Sequence, residues 1–274
     1  MIKELLSYFR LLSLDVVLGA CVSTLFIAKY FNIDLPNIVV AVLGLAVWII
    51  YTFDHLLDGT KSSDTPLTQR HQFHQTHRRP IFIILVLMMV VGLVLVFQLP
   101  VQIIINGITL SSGVVLYFVG LKLIGGRPSV YKEPLVALAY TIGVFLGPVS
   151  LMKTIDYDSL MVLFAIYALM AFVNLLMFSV YELKIDECDK HTSIVRYVGK
   201  RKATYLINVC FILLLLLFGY QLITPESFDL VSIAIFAMIA TLIVVNYWKS
   251  LFGIKERYRI VGDAVFYFPF ITLI

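Results

Sequence analysis

Two short stretches, Asp54-His55-Leu56-Leu57-Asp58 and Glu182-Leu183-Lys184-Ile185-Asp186, each close a long apolar run and carry two carboxylates four residues apart. On a helix four residues make about one turn, so each pair projects from one face. Carboxylates at a membrane boundary are costly to desolvate and need a cation, a basic partner or water. Hard oxygen ligands of this kind suit Mg²⁺ or Ca²⁺, and Mg²⁺ in particular is held by one or two carboxylates plus substrate phosphate oxygens. Two such helix ends facing each other would grip a metal-bridged diphosphate, with nearby Lys and Arg completing the charge balance. Metal ions there would stabilise charge building on a leaving diphosphate, and apolar surroundings would shelter a carbocation from water.

The elements that must position these acids are membrane helices. The chain is 61% hydrophobic and only 14% charged, with apolar runs of about 17 to 22 residues, the length that crosses the roughly 30 Å hydrocarbon core of a bilayer. Nine segments are predicted: Leu11 to Phe31, Pro36 to Phe53, Ile81 to Phe97, Val101 to Leu121, Pro134 to Met152, Leu160 to Tyr181, Tyr205 to Leu222, Leu230 to Trp248, and Gly262 to Ile274. Leu99-Pro100 separates the third from the fourth as a helix-breaking hairpin. The last run is short for a crossing. The fold class expected is therefore an all-α, polytopic membrane helix bundle.

Charge placement tests that arrangement independently, because short cytoplasmic loops collect Lys and Arg. With the N-terminus inside, 19 of the 21 basic residues fall on the inner side and only Lys29 and Lys153 outside. Both carboxylate pairs then face the cytoplasm, which points to the cell inner membrane. The net charge of +4 is spread over every inner loop and forms no single stripe, which argues against nucleic acid. Three cysteines, Cys21, Cys188 and Cys210, are odd in number and imply no disulfide framework. The first apolar run is too long for a signal-peptide core and is expected to stay as a span.

On these motifs, their order and the predicted topology, nearly the whole chain resembles the UbiA superfamily of intramembrane prenyltransferases, nine-helix proteins with Asp-rich motifs after the second and sixth helices. Asp54 and Asp58 match the last two acids of the first motif, and Glu182, Asp186 and Gly199 fit the second. Arg10 and Asp15 entering the first helix, Lys122 and Lys132 flanking the fourth loop, and Arg79-Pro80 opening the third helix are further echoes. The sequence departs from the pattern where Ile50-Tyr51 stands in place of the family's leading Asn-Asp, and where Glu182 replaces an Asp. Asp64, Glu187 and Asp189 are the acids near enough to compensate.

The resemblance implies one prenyltransferase-like transmembrane domain over residues 1–274. It would be a transferase moving a prenyl group from an isoprenoid diphosphate to a lipid-soluble, aromatic acceptor within the membrane. It implies Mg²⁺ as cofactor, held by the catalytic acids Asp54, Asp58, Glu182 and Asp186, with Lys122, Arg127, Lys132 and Arg79 on the diphosphate.

Other readings compete. Asp54 and Asp58 also suit a solvated helix end salt-bridged to Arg78 or Arg79, and Glu182 and Asp186 a charged surface beside Lys184 and Lys190. Asp15 and Asp263 suit pairing with Arg10 and Arg259. His71, His74 and His77 recur every three residues, a spacing tempting for zinc or iron but read here as a polar inner loop beside Arg70, Arg78 and Arg79. Tyr140, Phe145, Phe172 and Phe178 read as packing residues, and Asn106 and Asn174 as mid-span hydrogen-bonding groups, Asn174 also as a substrate-orienting one. Two whole-chain alternatives follow. One is a catalytically silent lipid-binding or membrane-assembly relative. The other is a secondary transporter, for which Gly143, Gly147 and Pro148 would mark a broken fifth span.

Overall fold

A computed structural model describes residues 2–58, 69–123, 132–188, 193–223 and 229–274. The side chains of Asp58, Lys122 and Asp186, and the whole of Arg127, lie outside the described part. Among the described residues the secondary structure is entirely helical. Six helices are long and apolar enough to cross a membrane, the composition of an integral membrane protein.

The chain begins with α1 (Ile2–Leu11), then α2 (Leu14–Tyr30), α3 (Asn37–Asp58), α4 (Gln69–Thr76), α5 (Arg78–Val96) and α6 (Val101–Leu123). It continues through α7 (Lys132–Leu151), α8 (Tyr157–Cys188), α9 (Ile194–Val198), α10 (Lys200–Ile223) and α11 (Leu230–Tyr247). The C-terminal part holds α12 (Lys249–Phe252), α13 (Arg257–Ala264) and a 3-10 segment, Val265–Thr272. The six candidate spans are α3, α5, α7, α8, α10 and α11.

Several boundaries differ from those read in the sequence, each for a local reason. The first apolar run is not one helix from Leu11: Ser13 is left-handed, with φ 57°, and separates α2 from the short α1. The stretch read as a polar loop before Arg79 contains α4, which packs on α1 through Tyr8 and Phe73, ring centroids 6.0 Å apart. The last run is no continuous α-helix. Pro269 has no N–H to give an α-helical ladder, and the segment winds as 3-10 helix after α13. The expected break does form at Leu99-Pro100, with α5 ending at Val96 and α6 beginning at Val101.

Helix α8 is the axis of the core. Its 32 residues make about 48 Å of helix at 1.5 Å per residue, more than a bilayer core needs, so its last turns carry Glu182 and Asp186 beyond the apolar part. Leu163, Ile166, Tyr167, Met170, Val173, Leu176 and Met177 are fully buried along it, at the three- and four-residue spacing of one broad core-facing side. Around it stand α7, α9, α10, α11 and α13. The second group, α2, α3 and α5, joins this core where α2 and α3 meet α7. The C-terminal segment closes the bundle: Lys29 of α2 donates to the Thr272 carbonyl, and the Tyr267 hydroxyl donates to the Asp15 carbonyl at 2.7 Å.

Outward faces are apolar. On α5, Phe82, Ile83, Leu87, Val90, Leu93 and Val94 are exposed while Ile81 and Leu85 are buried. A helix with so much exposed apolar surface suits lipid and not water.

Candidate functional site

Both acidic stretches lie on continuous helix. Asp54 and Asp58 belong to the last turns of α3, and Glu182 and Asp186 to the last turns of α8. The local cause is plain: neither stretch contains Pro or Gly, so the apolar helix propagates through it.

The geometry around Glu182 is the best defined. Only 9% of the residue is exposed. Oε1 accepts from the Tyr258 hydroxyl at 2.7 Å and from Arg259 Nε, while Oε2 accepts from Arg259 Nη2 at 2.7 Å. This is a two-pronged, charge-assisted pairing of the kind guanidinium makes best. The residues that supply it sit on α13, which the left-handed Lys255 and Glu256 aim back at α8. Gly262 permits the approach, since a Cβ there would stand 2.3 Å from Asn174 Oδ1 and 2.8 Å from the Phe178 ring. Arg259 lies 5.5 Å over the face of Phe178. Tyr258 stacks on Tyr181 with centroids 4.3 Å apart, and the Tyr181 hydroxyl donates to the Val245 carbonyl at 2.6 Å.

Electrostatics follow from this packing. Burial alone works against the charged form of Arg259, but the charge and hydrogen bonds of Glu182, with Asp263 adding to them, raise its pKa above the ordinary value. Burial first, then the Glu182 charge, push the Tyr258 phenol well above the ordinary tyrosine range. Arg259 takes Glu182, 77 residues away, as a direct partner, and the charge of Asp263 acts on it as well.

A second latch fixes the neighbouring turn. Glu133, in the first turn of α7, is buried, and its Oε1 accepts from Ser179 Oγ at 3.2 Å and from the Ile194 N–H at 2.9 Å. That ties the start of α7, where exposed Lys132 stands, to the last turns of α8 and the start of α9. The sequence reading missed Glu133 and Tyr258. A carboxylate wedged between Lys132 and Pro134, at the start of an apolar run, is the one local signal that would have marked Glu133.

At the other acidic end, Asp54 is exposed, and His55 is buried against His74 of α4 with ring centroids 5.0 Å apart. Leu56, Ile81 and Leu85 form a small core beneath. It holds the start of α5, with exposed Arg79, against the end of α3. Asp54 and Arg79 thus stand on one packed helix pair, α3 and α5, and Glu182 and Lys132 on another, α8 and α7. Helix α3 packs against α7 at the ends away from these residues, where a Cβ on Gly147 would stand 2.8 Å from Val39. Among the described residues no three His, Cys, Asp or Glu side chains converge as a metal group.

The interior residues behave largely as packing. Tyr140 meets Phe266 edge-on at 5.3 Å and Phe145 meets Tyr167 at 5.8 Å. Asn106 of α6 donates to Ser150 Oγ of α7 at 2.7 Å, an interhelical bond, whereas Asn174 Oδ1 is buried against Gly262 without a hydrogen-bond partner. Helix α7 runs through Gly143, Gly147 and Pro148 without a break.

Comparison with protein-family models, with curated proteins and with solved structures finds no match to this chain.

Proposed function

We propose that this protein is an intramembrane prenyltransferase of the UbiA type, transferring the prenyl group of an isoprenoid diphosphate to a lipid-soluble, aromatic acceptor. The observation that carries the reading is that α3 and α8, two candidate spans, continue as helix through both acidic stretches. Each acidic stretch therefore stands at the end of a candidate membrane helix, where ionisable residues lean functional.

The donor chemistry fits Mg²⁺. Asp54, Asp58 and Asp186 are hard carboxylate donors of the type the ion takes. Glu182, already receiving Arg259 and Tyr258, would chiefly fix the α8–α13 junction beside them. When bound, the ion would offset negative charge on the departing diphosphate. Lys132 and Arg79, on the first turns of α7 and α5, would receive diphosphate oxygens together with Lys122 and Arg127. The apolar bundle would keep water from the prenyl carbon as its bond to oxygen breaks and the acceptor carbon bonds to it, the acceptor's displaced proton passing to the departing diphosphate. In this reading the chain crosses the inner membrane nine times, with its N-terminus and acidic ends cytoplasmic, in line with the 19-to-2 split of its basic residues.

The test is Asp58→Asn in proteoliposomes supplied with Mg²⁺, geranylgeranyl diphosphate and a panel of aromatic acceptors. Transfer by the parent protein and none by the variant, at equal helicity and melting temperature, is the expected result. Transfer retained by the variant removes Asp58 from the reaction.

Two features favour a second reading, a catalytically silent lipid-binding or assembly protein: Ile50-Tyr51 where the family carries Asn-Asp, and the commitment of Glu182 to Arg259. It predicts no transfer by the parent protein with any acceptor.

A further inference from the structure

The start of α10 and the end of α11 come together on the side of the bundle where Glu182 stands. Helix α9 leads from α8 into α10, and α12 and α13 lead from α11 back to the Glu182–Arg259 pair. The hydroxyl of Tyr247, the last residue of α11, donates to Asn208 Oδ1 of α10 at 3.3 Å. Around α10, Arg201 lies within about 20° of Asn208 and Lys200 about 80° from it. Both basic residues therefore stand on the side of α10 turned to the end of α11, and Lys249 follows two residues after Tyr247.

Three cations are thus gathered without an anion. Lys200 and Arg201 are exposed and Lys249 is half-buried, and among the described residues none of the three has an ion pair. Lys249 and Lys200 are near enough to repel: burial first, and then the charge of Lys200, lower the Lys249 pKa from the ordinary lysine value. Like charges brought together by the fold leave a positive potential that an anion relieves.

The surroundings place this potential at the membrane surface. Helices α10 and α11 are candidate spans whose ends here are Lys200 and Tyr247. Tyr197, Tyr205, Tyr247 and Trp248 are exposed around them, the side chains suited to the level of lipid headgroups. Farther along α10, Ile212 and Leu215 lie within about 40° of Asn208 and are exposed, as is Val244 of α11. Apolar surface therefore continues from the cations along both helices.

We infer that Lys200, Arg201 and Lys249 bind the phosphate of one anionic phospholipid, whose acyl chain lies along Ile212 and Leu215. Apolar contact along the helices supplies affinity for any acyl chain. The cations supply the preference for a negative headgroup, because a zwitterionic lipid brings its own ammonium beside theirs. Each basic residue at a membrane surface favours the anionic lipid by about fivefold, and screening by salt reduces the sum. The assignment is independent of prenyl transfer.

Native mass spectrometry of the delipidated full chain, given equal amounts of phosphatidylglycerol and phosphatidylcholine with the same acyl chains, tests it. Retention of phosphatidylglycerol at about tenfold preference, unmoved by excess inorganic phosphate, is expected. Lys200→Gln, at an exposed position, should lower the preference about fivefold, and adding Lys249→Gln should abolish it at unchanged helicity. Lys153→Gln, at an exposed lysine just before the opposite end of α8, should keep it in full. Equal retention of both lipids by the parent, no retained lipid, or a folded Lys200→Gln that keeps the parent's preference would overturn the assignment. Loss of the preference in Lys153→Gln would overturn it as well. Displacement of the lipid by inorganic phosphate would make the cluster a free-phosphate site, and displacement by geranylgeranyl diphosphate a part of the diphosphate site; either result overturns the lipid assignment.

Discussion

Glu182 shows how far a single carboxylate can be read from sequence. Its place at the end of a span was visible, because charge after an apolar run is a local pattern. Its partners were not, since Tyr258 and Arg259 come 76 and 77 residues later on a separate short helix. Removing one member of such a pair leaves the other buried and uncompensated, so Arg259→Met should lower stability in detergent by about 3 kcal/mol. The double variant Glu182→Leu/Arg259→Met should recover most of that loss, as chemical-denaturant titrations of the parent, the single and the double variant would measure. A double variant as unstable as the single would mean that Arg259 acts through something other than Glu182. The phenol of Tyr258 gives a pH signature. Its pKa is raised in the folded protein above the unfolded value near 10, so its contribution is complete below about pH 10 and is lost as pH rises further. Tyr258→Phe should therefore cost about 1 kcal/mol at neutral pH and flatten the alkaline fall in melting temperature. An unchanged alkaline limb would place that titration elsewhere.

At the level of helices, the sequence located the apolar segments because hydrophobic length and Pro100 are local signals. Short helices with mixed composition escaped it. Helix α1 is amphipathic and interrupted by the left-handed Ser13, and α4 is polar but for Phe73, so neither carries the uniform apolarity that marks a span. Likewise the C-terminal 3-10 segment has the composition of a helix but is rerouted by Pro269. The joint between α8 and α13 depends on Gly262. Gly262→Ala would put a methyl group against Asn174 Oδ1 and Phe178, and overpacking of this kind costs about 1 to 3 kcal/mol. Adding Asn174→Ala should restore part of it, and thermal melts of the two variants would show whether it does. The α7–α8–α9 latch makes a second forecast. Glu133→Ala should speed hydrogen exchange at the Ile194 amide, whose acceptor is Glu133 Oε1, while leaving exchange in the middle of α8 unchanged.

Among the described residues, an apolar exterior surrounds a core centred on α8, and Asp54, Arg79, Lys132, Glu133, Glu182 and Arg259 stand toward helix ends on α3, α5, α7, α8 and α13. The proposed prenyl transfer would use charge at the helix ends for the diphosphate and a dry interior for the chain. The central claim is that these charged ends form a working metal-dependent diphosphate site, and ligand binding to the folded state raises its stability whatever the acceptor. The deciding measurement is thermal unfolding of the purified protein in detergent with Mg²⁺ alone, with a non-hydrolysable geranylgeranyl diphosphate analogue alone, and with both. A melting temperature that rises only when both are present, and does not rise in Asp58→Asn, is the predicted result; a folded protein that shows no shift with the pair would contradict it.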